Sequence, residues 1–113
     1  MPCLFCKIIA GDIPSTTVYE DDRMIAFKDI TPQAPLHVLI VPRRHIATLN
    51  DVEAGDDALL GAMTRRAALI AKEHGFGASG FRTVFNCNAD GGQAVFHIHL
   101  HLLAGRSLAW PPG

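Results

Sequence analysis

Alternating and continuous apolar stretches predict five β-strands in this chain. Four of them lie at residues 16–19, 24–28, 36–41 and 81–86. The stretch at 36–41 is almost continuously apolar, which is typical of a strand in the middle of a sheet. Residues 97–102 alternate histidine with isoleucine or leucine between Gly92 and Gly105, and this period of two predicts the fifth strand.

Two other segments have helical spacing. Apolar positions in residues 3–10 are consistent with about two turns of helix, ended by Gly11 and, shortly after, by Pro14. From residue 54 to residue 75 the apolar residues recur at intervals of three and four. This spacing predicts an amphipathic helix of roughly 20 residues that packs one face on the sheet.

Three of the six histidines, His97, His99 and His101, stand at alternate positions of the fifth predicted strand. On a strand their imidazoles share one face, with Cα atoms roughly 6.5 to 7 Å apart. A single histidine on a strand is commonly a surface or core residue, but a row of three favours a functional site. Two interpretations follow: a divalent metal site, or metal-free catalysis in which one neutral imidazole is the nucleophile.

The loop before this strand reads Asp90-Gly91-Gly92-Gln93. Its two glycines allow backbone N–H groups to approach a ligand closely, and the glutamine adds an amide side chain. Such a cradle suits a phosphate or an oxyanion, whereas a metal site has no need of one. The loop therefore favours the nucleophilic interpretation, as in phosphoryl or acyl transfer.

Residues 97–103 match the motif His-φ-His-φ-His-φ-φ, in which φ is apolar, and the chain resembles the nucleotide-binding branch of the histidine triad family. The resemblance extends over nearly the whole chain. It includes residues 5–9, 13–14, 19–22 and 29–35, the loop at Asp90 and the closing Trp-Pro-Pro-Gly sequence at 110–113.

The resemblance implies a single α+β domain over residues 1–113, with a five-stranded, mainly antiparallel sheet, one long and one short helix, paired as a homodimer. It also implies a hydrolase that cleaves the P–N bond of purine nucleoside 5′-phosphoramidates to give the monophosphate and an amine. Three alternatives stay open: a dinucleoside polyphosphate hydrolase, a nucleotide-binding regulatory module with little turnover, and a metallohydrolase that uses the triad as ligands.

The mechanism implied by the resemblance gives roles to four histidines. His99 attacks phosphorus and forms a nucleotidyl-histidine, while His101 stabilises phosphate oxygens or moves a proton. His37, which interrupts the apolar third strand, orients the set. His97 takes part in a proton relay unless it binds a metal. Catalysis needs no metal and no other cofactor in this scheme.

The resemblance also implies a nucleotide-binding set. It comprises apolar residues around the purine, a carboxylate for the ribose hydroxyls, an asparagine for the phosphate or ribose, loop N–H groups and a tail residue: Phe5, Ile8, Phe27, Asp29, Ile30, Asn86, Gly92, Gln93, Ala94 and Trp110. Without the resemblance, Asp29 and Asn86 read as capping or turn residues, and Phe5 and Ile8 as core. Ala94 departs from the serine of many relatives, so only its backbone N–H remains for the phosphate.

Some bacterial members of the family hold zinc between a Cys-x-x-Cys pair near the N-terminus, a histidine after the third strand and the first triad histidine. The matching positions here are Cys3, Cys6, His45 and His97. Two thiolates and two imidazoles make a closed tetrahedral shell of the structural kind, which would fasten the N-terminal helix to the sheet. The alternative is two reduced cysteines and an unrelated surface histidine.

Composition limits the other classes of function. A net charge of −1 and a pI near 6.6 provide no electrostatic basis for binding nucleic acid. No apolar run approaches the roughly 20 residues of a membrane span, and the N-terminus lacks the layout of a signal peptide. Three cysteines without an export signal favour reduced thiols or a metal site. We therefore predict a cytoplasmic protein with no membrane partner.

Overall fold

The computed structural model describes residues 3–113 and contains one five-stranded antiparallel sheet. Its strands are β1 Thr17–Glu20, β2 Met24–Lys28, β3 Leu36–Pro42, β4 Phe81–Phe85 and β5 Leu100–Ala104, in the order β1-β2-β3-β5-β4. The helices are α1 Leu4–Ile9 and α2 Asp57–Glu73, and short 3-10 turns lie at Leu49–Asp51 and Ala54–Asp56. The predicted α+β fold with one long and one short helix is confirmed. Neither helix of the described chain is long and apolar enough to cross a membrane.

The fifth strand is shorter than the alternation of residues 97–102 predicts. β5 begins at Leu100, which pairs with Ile40 of β3 and Phe85 of β4, so the prediction that one strand carries all three triad histidines was wrong. Toward this end β3 finishes at Pro42, which has no N–H to continue the ladder. The Pro42 carbonyl is contacted by the side chain of His97 and not by a strand backbone.

The long helix begins three residues later than predicted. Residues Ala54–Asp56 form a 3-10 turn, and α2 starts at Asp57. The Asp56 carboxylate is buried, accepts the Glu53 N–H at 2.9 Å and pairs with Arg44. These polar contacts hold the chain in the tighter turn, and apolar spacing does not reveal them.

Alternate residues of β2 and β3 pack on opposite faces of the sheet. The face under α2 buries Met24, Ala26, Val38 and Ile40 against Met63, Ala67, Ile70 and Ala71. The other face buries Ile25, Phe27, Leu39 and Val41 around Phe5. Every residue of β3 is buried, as its apolar run predicts. Because α1 has only six residues, it covers part of its face and leaves room for a cavity.

The loop between β4 and β5 turns tightly at Gly91. A Cβ on this residue would lie 2.4 Å from the carbonyl oxygen of Cys87 and 2.8 Å from its nitrogen, so only glycine fits. Gly92 follows with a φ of +76°, a conformation that favours glycine. The geometry of the loop itself therefore requires both glycines.

We predict that alanine at Gly91 and alanine at Gly61 change stability in opposite directions. A methyl group on Gly91 overlaps the Cys87 backbone, so we expect Gly91→Ala to lower the free energy of unfolding by about 1–3 kcal/mol. Gly61 lies in α2 with no atom within 4 Å of an added Cβ. Gly61→Ala should therefore raise that free energy by up to about 1 kcal/mol. Urea unfolding measures both changes, and a Gly91→Ala variant as stable as the wild type would contradict the described loop.

Candidate active site

A cavity of about 400 Å³ opens on the α1 side of the sheet. Its walls are mostly apolar and include a few polar side chains, among them those of the last two triad histidines. Eight of the ten predicted nucleotide-binding residues line it: Phe5, Ile8, Phe27, Asp29, Ile30, Asn86, Gly92 and Ala94. An apolar cavity with a few convergent polar groups is the usual form of a small-molecule site.

Five further apolar residues of the walls were not predicted: Leu4, Ile13, Pro14, Leu39 and Val95. Ile13 and Pro14 belong to a segment that carries the family resemblance, but no periodicity marks them as cavity residues. Leu39 lies on the α1 face because Val38 and Ile40 lie under α2. The alternation along β3 was therefore a usable signal for Leu39.

His99 has one ring nitrogen left for the cavity. Its Nδ1 lies 2.8 Å from the His97 carbonyl oxygen, so Nδ1–H donates and Nε2 keeps its lone pair. The Phe5 ring packs edge-on against this imidazole, with 4.9 Å between the ring centroids. Burial lowers the pKa of His99, against the opposing effects of the backbone hydrogen bond and of Asp29. A neutral imidazole with a free Nε2 meets the requirements of a nucleophile.

His37 and His101 form a hydrogen-bonded pair next to His99. The Gln33 N–H donates to His37 Nδ1 at 3.0 Å, so His37 carries its proton on Nε2. That Nε2–H donates to His101 Nδ1 at 2.9 Å, which leaves the proton of His101 on its own Nε2. The His101 and His99 rings are 5.0 Å apart between centroids. The pair therefore places an N–H donor beside His99.

Burial keeps this pair neutral. It is the main cause that lowers the pKa of His37, although the Asp29 carboxylate acts in the opposite direction. Burial and the neighbouring His99 and His37 rings lower the pKa of His101 to about 4. Both imidazoles are thus uncharged near pH 7. Because the Gln33 N–H donates to His37 Nδ1, each of the two rings carries its single proton on Nε2.

Asp29 adjoins the histidine pair at the cavity wall. Its Oδ1 accepts the Thr31 N–H at 2.8 Å, and its Oδ2 lies 3.5 Å from His37 Nε2. Asp29, His37 and His101 bring three potential ligand atoms within 4.8 Å of one another. However, His37 Nε2 carries a proton while Nδ1 accepts from Gln33, so Nε2 has no lone pair for a cation. This cluster fits a hydrogen-bond relay and does not fit a metal site.

The predicted phosphate cradle is only partly free to bind. The Gly92 N–H donates to Ala89 O and the Gln93 N–H to Asn88 O, both at 3.0 Å. The buried Gln93 amide donates to Ala47 O and Val95 O and accepts the Asn88 N–H. The Gln93 side chain therefore organises the loop, and its predicted contact with a phosphate stays a prediction. Within the described chain, the Ala94 N–H has no protein acceptor and remains for a ligand.

Asn86 and Trp110 differ in their relation to the cavity. Asn86 lines it, and its Nδ2 donates to Gly91 O at 2.6 Å, which ties the wall to the loop. Trp110 is 83% exposed and lies outside the cavity wall. Arg82 tethers the tail just before it by donating to Leu108 O and Ala109 O. The structure of one chain therefore does not bring Trp110 into the site.

A second cluster, formed by Cys3, Cys6, His45 and His97, lies where the N-terminus of α1 meets the segment before β5. The His97 Nδ1 lies 3.4 Å from Cys3 Sγ, 3.5 Å from Cys6 Sγ and 3.2 Å from His45 Nδ1. Around a tetrahedral zinc ion with ordinary bond lengths, such ligand atoms are separated by about 3.3–3.8 Å. The four side chains therefore have the spacing and the donor types of a zinc site.

The protonation of this cluster supports the same fit. His97 Nε2–H donates to the Pro42 carbonyl at 2.7 Å, so the lone pair on Nδ1 points at the thiols. Burial lowers the pKa of His97, which keeps that lone pair free of a second proton. Burial and the adjacent Cys3 raise the pKa of the Cys6 thiol. Two neighbouring thiolates are thus costly here unless a cation binds both of them.

Comparison with known proteins agrees with this geometry. The family model "Scavenger mRNA decapping enzyme C-term binding" matches residues 2–109. The purine nucleoside phosphoramidase of Escherichia coli strain K12 is 51% identical over 105 residues, which cover 93% of this chain and 88% of that protein. The adenylylsulfatase HINT1 of Arabidopsis thaliana is 47% identical over 114 residues, covering 99% of this chain and 77% of that one.

A solved structure extends the match to three dimensions. The HIT family hydrolase from Legionella pneumophila Philadelphia 1 aligns with a TM-score of 0.97 at 55% identity, covering 99% of this chain and 100% of that one. The sheet, the triad and the sequence similarity thus lead to one family. The chain belongs to the histidine triad family, in its nucleotide-binding branch.

Proposed function

We propose that this protein hydrolyses purine nucleoside 5′-phosphoramidates at the P–N bond. The observation that carries the proposal is the neutral His99, whose Nδ1–H is held by a carbonyl so that Nε2 is left for the cavity. The names of its relatives, a purine nucleoside phosphoramidase and an adenylylsulfatase, support a nucleotide with a leaving group on its phosphorus.

The reaction proceeds in two displacements. His99 Nε2 attacks phosphorus, and the new N–P bond forms as the P–N bond to the leaving group breaks, with the amine taking up one proton from solvent water. A water molecule then attacks phosphorus of the nucleotidyl-histidine, the His99–phosphorus bond breaks, the monophosphate and His99 are released, and the proton lost by the attacking water returns to solvent. The His101 Nε2–H and the Ala94 N–H donate to phosphoryl oxygens in both steps. None of these roles requires a metal.

The nucleoside occupies the apolar part of the cavity in this proposal. Phe5, Ile8, Phe27 and Ile30 surround the purine. Asp29 accepts hydrogen bonds from the ribose hydroxyls through Oδ2, because its Oδ1 is already bound to the Thr31 N–H. Asn86 lies at the phosphate side of the same wall, next to the loop that carries the Ala94 N–H.

Ala94 favours a second candidate function. Its methyl group offers no hydroxyl to the leaving group, so the site has one hydrogen-bond donor fewer than a serine at this position would supply. A protein that binds purine nucleotides tightly and turns them over slowly fits the same geometry. The two functions differ only in measured turnover.

We predict that adenosine 5′-phosphoramidate is hydrolysed and that His99→Ala and His99→Gly abolish the reaction. Loss of the nucleophile should reduce kcat by at least about 10³-fold while adenosine monophosphate still binds. His74→Ala, which alters an exposed histidine at the end of α2, is the matched control and should keep full activity. A chelator in the assay should have no effect on the wild type.

Two results would change the assignment. Wild-type protein that binds the monophosphate without cleaving the phosphoramidate would favour the nucleotide-binding module. Activity that disappears with the chelator, in folded protein whose cluster of Cys3, Cys6, His45 and His97 keeps any bound zinc, would favour a metal-dependent hydrolase instead.

We also propose that Cys3, Cys6, His45 and His97 bind a structural zinc ion. All four positions of a tetrahedral shell are filled by protein, so no position is open for a substrate. The bound ion would fasten α1, and with it Phe5, to the sheet. A reducing compartment such as the cytoplasm keeps both thiols available for this role.

We predict about one zinc ion per chain in the purified wild type and none in the Cys3→Ser/Cys6→Ser double variant, because the four protein ligands leave a single closed site. Cys87→Ser changes a cysteine outside the cluster and should keep the ion. Removing zinc should lower the Tm of the wild type and leave the Tm of the double variant unchanged. Elemental analysis measures the zinc content, and thermal unfolding measures the Tm. Zinc retained by the double variant would refute the proposed ligands.

The protein is proposed to act as a homodimer. Phe81 on the edge strand β4, Phe96 and Trp110 are large apolar side chains that remain 39%, 49% and 83% exposed in one chain. Isolated exposed residues are normal, but an unpaired strand edge together with exposed aromatic side chains favours pairing of two copies.

We predict that sedimentation will give twice the 12.2 kDa mass of one chain. Trp110 is the single tryptophan, so its fluorescence reports its own surroundings. If the partner covers it, the emission should shift to longer wavelength as the protein is diluted through the dissociation range. A monomer at all concentrations, with emission typical of exposed tryptophan, would exclude the dimer.

A further inference from the structure

The proton on His37 is directed by a main-chain donor at Nδ1, while Asp29 Oδ2 and His101 Nδ1 face the other ring nitrogen, Nε2. The group that donates to His37 Nδ1 is the backbone N–H of Gln33, at 3.0 Å. The orientation of the His37–His101 pair therefore depends on where the turn between β2 and β3 places that peptide group. A shift of this turn would leave Nδ1 without its donor and allow His37 to adopt the other tautomer, in which Nε2 no longer donates to His101.

The turn is held by contacts of two kinds. Within it, the Thr31 N–H donates to Asp29 Oδ1 and the Gln33 side-chain Nε2 donates to Thr31 O. From outside it, Arg106 Nε donates to the Gln33 carbonyl at 2.8 Å. The first two bonds fix the shape of the turn, and the third joins Gln33 itself to the residue that follows the end of β5, the strand that carries His101.

The end of β5 is built to bring Arg106 to this position. Gly105 has a φ of +98°, and a Cβ there would lie 2.8 Å from the Cβ of Pro35, so the backbone after β5 passes directly against the turn. Arg106 also donates to Ser107 O through Nη1 at 3.1 Å, which restrains the guanidinium at its other end. Two bonds from one planar group define the position of the Gln33 carbonyl better than an ammonium group would.

We propose that Arg106 is a positioning residue for catalysis, which acts through the Gln33 backbone on His37 and through His37 on His101. It touches neither the substrate nor the reacting atoms. Its effect is to keep the proton of His37 on Nε2, so that His101 accepts at Nδ1 and presents Nε2–H beside His99. The consequence for turnover rests on the proposed phosphoramidate hydrolysis, whereas the consequence for the His37 tautomer does not.

Arg82 provides a matched control. Like Arg106, it is an arginine that donates to backbone carbonyls of the C-terminal segment, in this case those of Leu108 and Ala109. Both arginines line the same surface cavity. Arg82, however, makes no hydrogen bond with Gln33 in the described chain, so its removal should loosen the tail and leave the turn in place.

The experiment compares Arg106→Gln, Arg106→Lys and Arg82→Gln with the wild type. We expect Arg106→Gln to lower kcat on adenosine 5′-phosphoramidate about tenfold, the effect of losing one charge-assisted hydrogen bond, with KM changed less than twofold. Arg106→Lys should recover part of the loss. Arg82→Gln should match the wild type in kcat.

The second readout is the ¹⁵N spectrum of the imidazoles, which distinguishes protonated from unprotonated ring nitrogens without turnover. In the wild type and in Arg82→Gln, His37 should show a protonated Nε2 and an unprotonated Nδ1. In Arg106→Gln these two signals should shift toward a mixture of tautomers. Unchanged His37 signals in a folded Arg106→Gln variant would overturn the proposal. If the wild type does not cleave the phosphoramidate, the spectra still test whether Arg106 sets the His37 tautomer.

Discussion

Main-chain groups fix the ring proton of three imidazoles, those of His37, His97 and His99, and His37 in turn fixes that of His101. The Gln33 N–H donates to His37, and the carbonyls of Pro42 and His97 accept from His97 and His99. A neutral imidazole has one donor and one acceptor nitrogen, so a fixed partner on one side determines the chemistry of the other. Three histidines at alternate positions thus present different groups. His97 directs a lone pair at two thiols, His99 keeps a lone pair for the cavity, and His101 presents an N–H donor.

This arrangement links the cluster of Cys3, Cys6, His45 and His97 to the cavity. His97 is a member of that cluster, and its carbonyl is the acceptor that orients His99. Cys3 is the N-cap of α1, where its Sγ accepts the Cys6 N–H at 3.3 Å. One turn of that helix carries Phe5, which packs on both His97 and His99. The position of the helix and the position of His99 therefore depend on the same few contacts.

The sequence predicted the elements better than the detailed site. Apolar residues spaced at two, or at three and four, predicted the existence of all five strands and both helices, because a buried face repeats with the period of its element. The cavity walls at Phe27 and Asp29 followed from the family resemblance. The sequence wrongly predicted that β5 begins at residue 97. The strand begins at Leu100, because Pro42 ends the pairing of β3 with β5 and only the register of these strands reveals this. Gln93 was placed at the phosphate because its residue type suits that role, and its contacts with Ala47 and Val95 have no signature in sequence.

The loss of loop donors changes how charge is stabilised at phosphorus. With the Gly92 and Gln93 N–H groups bound inside the loop and no hydroxyl at Ala94, the proposed reaction relies on two other donors, the Ala94 N–H and the His101 Nε2–H. Two hydrogen bonds in water would stabilise the transferred phosphoryl group little, but a site that excludes water strengthens each of them. In the proposed reaction the apolar walls contributed by Phe5, Phe27 and Leu39 then have a second role besides contact with the nucleoside. They lower the local polarity so that a small number of well-oriented donors is sufficient.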